Sequence, residues 1–162
     1  MPETNTAYMK KIRLIMLASA ILLFAACTKD GSDPVIPKNS WTLNSTQHLV
    51  VGSSRASVSG STDATIIYKD GSNEAVTLGF KALPTANATY ELVEAGTSLS
   101  DNQCHLSVTN ATNNLLFKGN TASVEVIIGE NKKIIVTIPE VNVAPVISGT
   151  ALKFKAALYE TN

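Results

Sequence analysis

Short runs in which apolar and polar residues alternate dominate the chain after Trp41, and they limit its fold more than any other feature. The clearest pair covers 122–128 and 132–138, which are separated by Gly129-Glu130-Asn131. Alternation with a period of two places every second side chain on one face of a β-strand. The two runs therefore predict an antiparallel hairpin. Its inward face is expected to carry Val124, Val126, Ile134 and Val136.

A second hairpin is predicted from 64–69 and 75–80, because the intervening Asp70-Gly71-Ser72-Asn73 is rich in turn-forming residues. Further short runs bring the expected number of strands to roughly eight to ten. No segment after Trp41 shows helical periodicity. The sequence thus predicts an all-β domain, either an antiparallel β-sandwich or, as the alternative, a small β-barrel.

The start of the chain has the features of an export signal. A basic cluster at 9–13 precedes 13 uncharged, mostly apolar residues at 14–26. This run is too short to span a bilayer core, which needs roughly 20 helical residues, but it fits the apolar region of a signal peptide. It ends in Ala25-Ala26-Cys27, which resembles a lipobox with Phe24 where leucine is common. We expect cleavage after Ala26 and lipidation of Cys27.

These features divide the chain into three segments. We expect a signal peptide at 1–26, with the true start at Met9, then a lipidated tether at 27–39 and a β-domain at 40–162. The signal contains three of the 13 basic and one of the 13 acidic residues, so ten basic and twelve acidic residues follow it. This near-neutral balance argues against a nucleic-acid partner.

The order of the later segments resembles that of a known group of proteins. The segments are Leu83-Pro84 followed by 88–92, then 119–126, and finally 147–154 with its Ser-Gly-Thr. With the lipobox and the polar tether, they resemble the small Bacteroidota lipoproteins of uncharacterised function. That resemblance implies one β-sandwich domain held at the outer membrane, on its periplasmic face or at the cell surface. It transfers no catalytic residue.

Few residues are candidates for chemistry. If Cys27 carries lipid, Cys104 has no disulfide partner and is expected to be a buried apolar residue. His48 and His105 are the only histidines, and neither has a carboxylate or thiol at a recognisable ligand spacing. The aspartates are scattered, and no Gly-x-Ser-x-Gly motif occurs. We therefore expect no enzyme, no metal site and no cofactor.

The function expected from the sequence is a non-catalytic binding or accessory domain, anchored in the membrane through Cys27. Its partner would be a polysaccharide or an envelope protein. One alternative is a structural or assembly lipoprotein without a small-molecule ligand, and another is a barrel that carries a small apolar ligand. An exposed aromatic strip would favour the first of these, a polar surface with an open edge strand the second, and an internal cavity the third. Trp41, the sole tryptophan, is expected to be buried.

Overall fold

The computed structural model of the chain describes residues 39–57, 64–119 and 121–161, and these form a single eleven-stranded sheet. The prediction of an all-β domain with sandwich and barrel alternatives is confirmed. The predicted signal at 1–26, Cys27 and the tether up to residue 38 lie outside the described residues. Within the described ranges, no helix has the length and apolarity needed to cross a membrane.

Among the described residues, the one helical element is a single turn of 3₁₀ helix at Glu130–Lys132. In chain order the strands are β1 (Ser40–Leu43), β2 (Thr46–Leu49), β3 (Gly52–Ser57), β4 (Ala64–Lys69), β5 (Ala75–Phe80), β6 (Ala88–Leu92), β7 (Gln103–Thr109), β8 (Asn114–Phe117), β9 (Ala122–Ile128), β10 (Ile134–Pro145) and β11 (Leu152–Tyr159).

Five strands close into a barrel because β8 pairs with both β7 and β10. The ring runs β6, β7, β8, β10, β9 and back to β6, and the outer strands continue from it on both sides. One outer group is β5-β4-β3, attached at β7, and the other is β11-β1-β2, attached at β10. Every pairing is antiparallel except that of β6 with β7. The edges of this sheet are therefore β2 and β3.

The barrel closes through a change of partner along β10. The first part of β10 pairs with β9, and its end pairs with β8. Between these parts the register with β11 shifts between Ile138 and Val141, as in a β-bulge. Pro139, which has no N–H to donate, stands at this shift. From the sequence, Pro139 and Pro145 predict an irregular stretch between them, because proline interrupts the hydrogen bonds of a strand. This prediction is wrong, because the bulge absorbs Pro139 within one continuous strand.

Both predicted hairpins are present. The β4–β5 pair runs from Ala64↔Phe80 to Lys69↔Ala75, and the β9–β10 pair includes Val126↔Val136. The second strand of the latter begins at Ile134 rather than at residue 132, because Asn131 and Lys132 have left-handed φ values of 58° and 59° in the turn. All four side chains predicted to face inward are buried.

The interior of the barrel is filled with side chains. The inward-facing side chains of its five strands are almost inaccessible to solvent. They belong to one hydrophobic cluster that also includes side chains of the outer strands. The buried barrel residues are Tyr90, Leu92, Cys104, Leu106, Val108, Leu115, Phe117, Val124, Val126, Ile134, Val136, Ile138, Val141 and Val143. A barrel of five strands is narrower than the eight-stranded barrels that side chains just fill, so its interior is a packed core.

Candidate functional site: a histidine between two carboxylates

The hairpin of β1 and β2 places Trp41 directly opposite His48. Its two turn residues, Asn44 and Ser45, both have positive φ values, of 47° and 73°, which fits the tight turn that matches the twist of paired strands. The ring centroids of Trp41 and His48 are 5.3 Å apart, with planes 5° from parallel. Trp41 is 1% exposed, so its expected burial is confirmed. The stack fixes the plane of the imidazole.

The turn between β4 and β5 supplies two carboxylates. Asp70 follows β4 and Glu74 precedes β5, and the backbone N–H of Asp70 donates to the carbonyl of Glu74 at 3.0 Å. Oδ1 of Asp70 accepts hydrogen bonds from the backbone N–H groups of Ser72 (2.8 Å) and Glu74 (2.9 Å), while Oδ2 accepts one from the Ser72 hydroxyl (2.7 Å). This is the turn predicted from the sequence, and it holds the Asp70 side chain in one position.

His48 joins these two carboxylates. Its Nδ1 lies 3.0 Å from Oδ2 of Asp70 and 3.2 Å from Oε2 of Glu74. The side chains of His48, Asp70 and Glu74 are 14%, 7% and 17% exposed. Because one imidazole nitrogen meets two carboxylate oxygens, either a shared proton or a positive ion must stand between them. We call these three residues the His48 cluster.

The carboxylates of the His48 cluster have few positive neighbours. Burial raises the pKa of Asp70, but hydrogen bonds from His48, Ser72 and the backbone outweigh it, so the pKa lies below its ordinary value. Within the described part of the chain, neither carboxylate forms an ion pair with a lysine or arginine. Among the described residues, the side chains and N–H groups in contact with them are the imidazole of His48 and uncharged donors.

The chemistry available to this cluster is that of holding a proton or a metal ion. The Ser72 hydroxyl contacts the His48 cluster. It donates its hydrogen bond to Asp70 and not to the imidazole. A serine nucleophile needs its base within hydrogen-bond reach, so this arrangement is not that of a Ser-His pair. An imidazole nitrogen and two carboxylates are, in contrast, suitable ligands for a divalent metal.

The other candidate residues from the sequence do not come together in one site. Cys104 is a buried free thiol, as predicted, and burial raises its pKa to about 12. Its neighbour His105 is on the opposite face of β7, where Nε2 lies 3.3 Å from the Thr97 hydroxyl. Asp101 pairs with Lys81 at the surface. Asp30, Asp33 and Asp63, like Cys27, lie outside the described residues.

One buried carboxylate was not expected from the sequence. Glu160 follows β11 and is 5% exposed. Nε and Nη2 of Arg55 on β3 donate to its two oxygens at 2.6 and 2.7 Å, and the backbone N–H of Ile134 donates to Oε2 at 2.6 Å. Arg55 also donates to the carbonyl of Lys132. This pair ties the edge strand β3 to the end of β11, which indicates a structural role.

Two open grooves lie on the surface of the described domain. A groove of about 520 Å³ crosses the outer face of β1, β10 and β11, over small side chains such as Ser40, Thr42 and Ala157. Another, of about 390 Å³, lies by Tyr90 and Asn102. Neither contains the His48 cluster or any other group of three metal-ligating side chains found among the described residues.

The sequence did not reveal the His48 cluster because its parts lie far apart along the chain. The hairpin prediction already brought Asp70 and Glu74 to the two ends of one turn. Nothing in the spacing of His48, 22 residues before Asp70, indicated that β2 would end beside that turn. Comparisons of the chain with protein-family models, with curated proteins and with solved structures found no match.

Proposed function

We propose that this chain is a lipid-anchored protein of the bacterial outer membrane, and that its β-domain is a non-catalytic binding or accessory module. The observation that carries the proposal is the sequence around Cys27. A basic cluster and an apolar run precede the cysteine, small residues flank the expected cleavage point, and a polar segment follows. We place the protein with the small Bacteroidota lipoproteins that it resembles.

The short segment between Cys27 and the first described residue limits how far the domain can lie from a lipid on Cys27. Asn39 is fixed to the domain, because its side-chain amide donates to the carbonyl of Tyr159 and its amide oxygen accepts from the N–H of the same residue. Only residues 28–38 separate Asn39 from Cys27. A chain of this length spans at most about 40 Å. A lipid on Cys27 would therefore keep the domain close to the bilayer.

The surface favours a partner other than a small apolar ligand. Side chains fill the barrel, which argues against the carrier alternative. Trp41, Tyr68 and Tyr90 are buried, so they are not available to stack on a sugar. Leu49 and Val51, at the corner between β2 and β3, are 54% and 66% exposed. We infer that the partner is a protein or another envelope component that contacts such a surface.

The assembly alternative is favoured by one observation. Among the described residues, β2 pairs only with β1, so its other edge is open and most of its residues are exposed. An open edge accepts a strand from another chain. If the protein has this assembly role, the detergent-solubilised chain would run in sedimentation as a defined complex larger than one chain. An accessory domain that binds only transiently would run as a single chain.

Labelling with a lipid precursor tests the anchor. Cells that express the full chain should incorporate radiolabelled palmitate into it, and the protein should appear in the membrane fraction. Cys27→Ala should abolish the labelling and release the protein or block its maturation. Cys104→Ala, which removes the other cysteine, is the matched control and should leave the labelling unchanged. Equal labelling of the wild type and Cys27→Ala would overturn the proposal.

A further inference from the structure

We propose that the His48 cluster is a binding site for one divalent transition-metal ion of the zinc class. The ligands would be Nδ1 of His48, one carboxylate oxygen of Asp70 and one of Glu74. This inference does not depend on the lipid anchor or on the proposed function, because it is based only on residues of the described domain. The ion would bridge β2 and the β4–β5 turn.

The distances within the cluster fit an ion placed between the three atoms. The ligand atoms lie within 4.8 Å of one another, and Nδ1 is 3.0 and 3.2 Å from the two oxygens. In a tetrahedral site with bonds of about 2.0–2.1 Å, neighbouring ligand atoms are roughly 3.3 Å apart. The two distances to Nδ1 are therefore within a few tenths of an ångström of those in a tetrahedral site, and the two carboxylate oxygens, which lie within 4.8 Å of each other, would adjust through their side-chain torsions.

The types of ligand select the class of metal. Calcium and magnesium prefer sites made of oxygen atoms alone, whereas one imidazole with two carboxylates suits zinc and its neighbours in the first transition series. Two ionised carboxylates and a neutral imidazole balance the charge of a divalent ion. No lysine or arginine among the described residues forms an ion pair with these carboxylates and would compete for them.

The ligands are held in place by neighbouring groups. Three donors from Ser72 and Glu74 fix the carboxylate of Asp70. Trp41 stacks on the imidazole and fixes its plane. Supporting contacts of this kind are typical of metal sites, and their loss weakens metal affinity. A pre-formed arrangement lowers the free energy needed to assemble the site.

Three protein ligands leave at least one coordination position open. Since each of the three side chains is partly exposed, solvent reaches the cluster. Water, or a carboxylate or imidazole of another molecule, would complete the coordination. The competing interpretation is that a proton on the imidazole alone holds the two carboxylates, which would make the cluster a structural ion pair without metal.

Titration with a metal distinguishes these two interpretations. The full chain, purified without a histidine tag and stripped with a chelator, is titrated with Zn²⁺ by calorimetry and with Co²⁺ by visible absorption. We expect saturable binding of one ion per chain, and a Zn²⁺-dependent rise in the unfolding temperature. Ca²⁺ should bind far more weakly.

Two variants and one control complete the experiment. Glu74→Gln keeps the turn around Asp70 and the Trp41 stack, and it should weaken Zn²⁺ binding about tenfold or more. His48→Ala should abolish it, and circular dichroism checks that both variants retain their strands. His105→Ala, which removes the other histidine, should bind as the wild type does. Absence of saturable binding, equal affinity in Glu74→Gln and the wild type, or Ca²⁺ binding as tight as that of Zn²⁺ would overturn the proposal.

Discussion

Truncation of Arg55 tests the structural role of the buried Glu160 carboxylate. In Arg55→Ala, Glu160 loses two charge-assisted hydrogen bonds, at 2.6 and 2.7 Å, and retains the one from Ile134. Breaking a fully buried ion pair in this way costs about 3–5 kcal/mol. The Arg55 side chain, however, is 44% exposed, so water will replace part of what it provided. We therefore expect the free energy of unfolding to fall by roughly 2 kcal/mol, a substantial part of a typical 5–15 kcal/mol.

The loss should depend on pH in a defined direction. Burial raises the pKa of Glu160, but hydrogen bonds from Arg55 and Ile134 and the charges of Arg55 and Lys133 outweigh it, so the pKa is lowered. A carboxyl with a lowered pKa stabilises the fold above its unfolded-state pKa of about 4.3, and this contribution is lost as the pH falls through the folded-state value. The difference between wild type and Arg55→Ala should thus be complete at neutral pH and shrink below about pH 4.

Urea unfolding followed by circular dichroism, at a series of pH values, measures this difference. Glu160→Gln keeps the shape of the side chain and should remove most of its pH dependence. Lys153→Ala, which breaks the exposed pair with Glu140, is the matched control and should leave stability unchanged within error. A difference for Arg55→Ala below about 0.5 kcal/mol, or one that is equal at pH 7 and pH 3, would refute the reasoning.

Two further predictions concern the barrel core. The pKa of Cys104, raised to about 12 by burial, implies a thiol that reacts slowly with a labelling reagent until the protein is denatured, and rapid labelling of the folded protein would contradict this. Val126→Asp places a carboxylate in the core and should lower the free energy of unfolding by about 3 kcal/mol or more. Ser123→Asp on the outer face should lower the free energy of unfolding by less than about 1 kcal/mol, even with Glu91 opposite. Equal losses of stability for Val126→Asp and Ser123→Asp in urea melts would disprove the strand register.

Local patterns determined which segments form strands and which face of each is buried. Alternation in 122–128 and the turn residues at 70–73 were sufficient, because period-two burial and turn formation depend on residues close together in the chain. The burial of Cys104 was predicted from its lack of a disulfide partner, and that of Trp41 from its position at the start of the domain. The predicted start of the second strand at 132 was wrong by two residues, since nothing local specified the left-handed Asn131 and Lys132.

Closure of the barrel was decided by the tertiary structure. That β8 bridges β7 and β10, and that β10 changes partner near Pro139, depend on pairings between segments far apart in sequence. Alternation indicates only that a strand has a buried face, and it does not identify the neighbouring strand. The sequence therefore predicted a sandwich, with a small barrel as the alternative, and alternation could not decide between them.

The same contrast between local sequence patterns and tertiary structure applies to the charged sites. The sequence alone predicted that Asp70 and Glu74 stand at the two ends of one turn. The motif at Cys27 can be identified without any knowledge of the fold. Only the tertiary structure brought His48 to the two carboxylates, and only it buried Glu160 beneath Arg55. Both contacts join the two outer groups of strands, β11-β1-β2 and β5-β4-β3, whose relative distance is set by the chain path and is not encoded in residue spacing. A histidine or a glutamate near a strand end is normally solvated, and it becomes a candidate site when the fold removes water and supplies a partner.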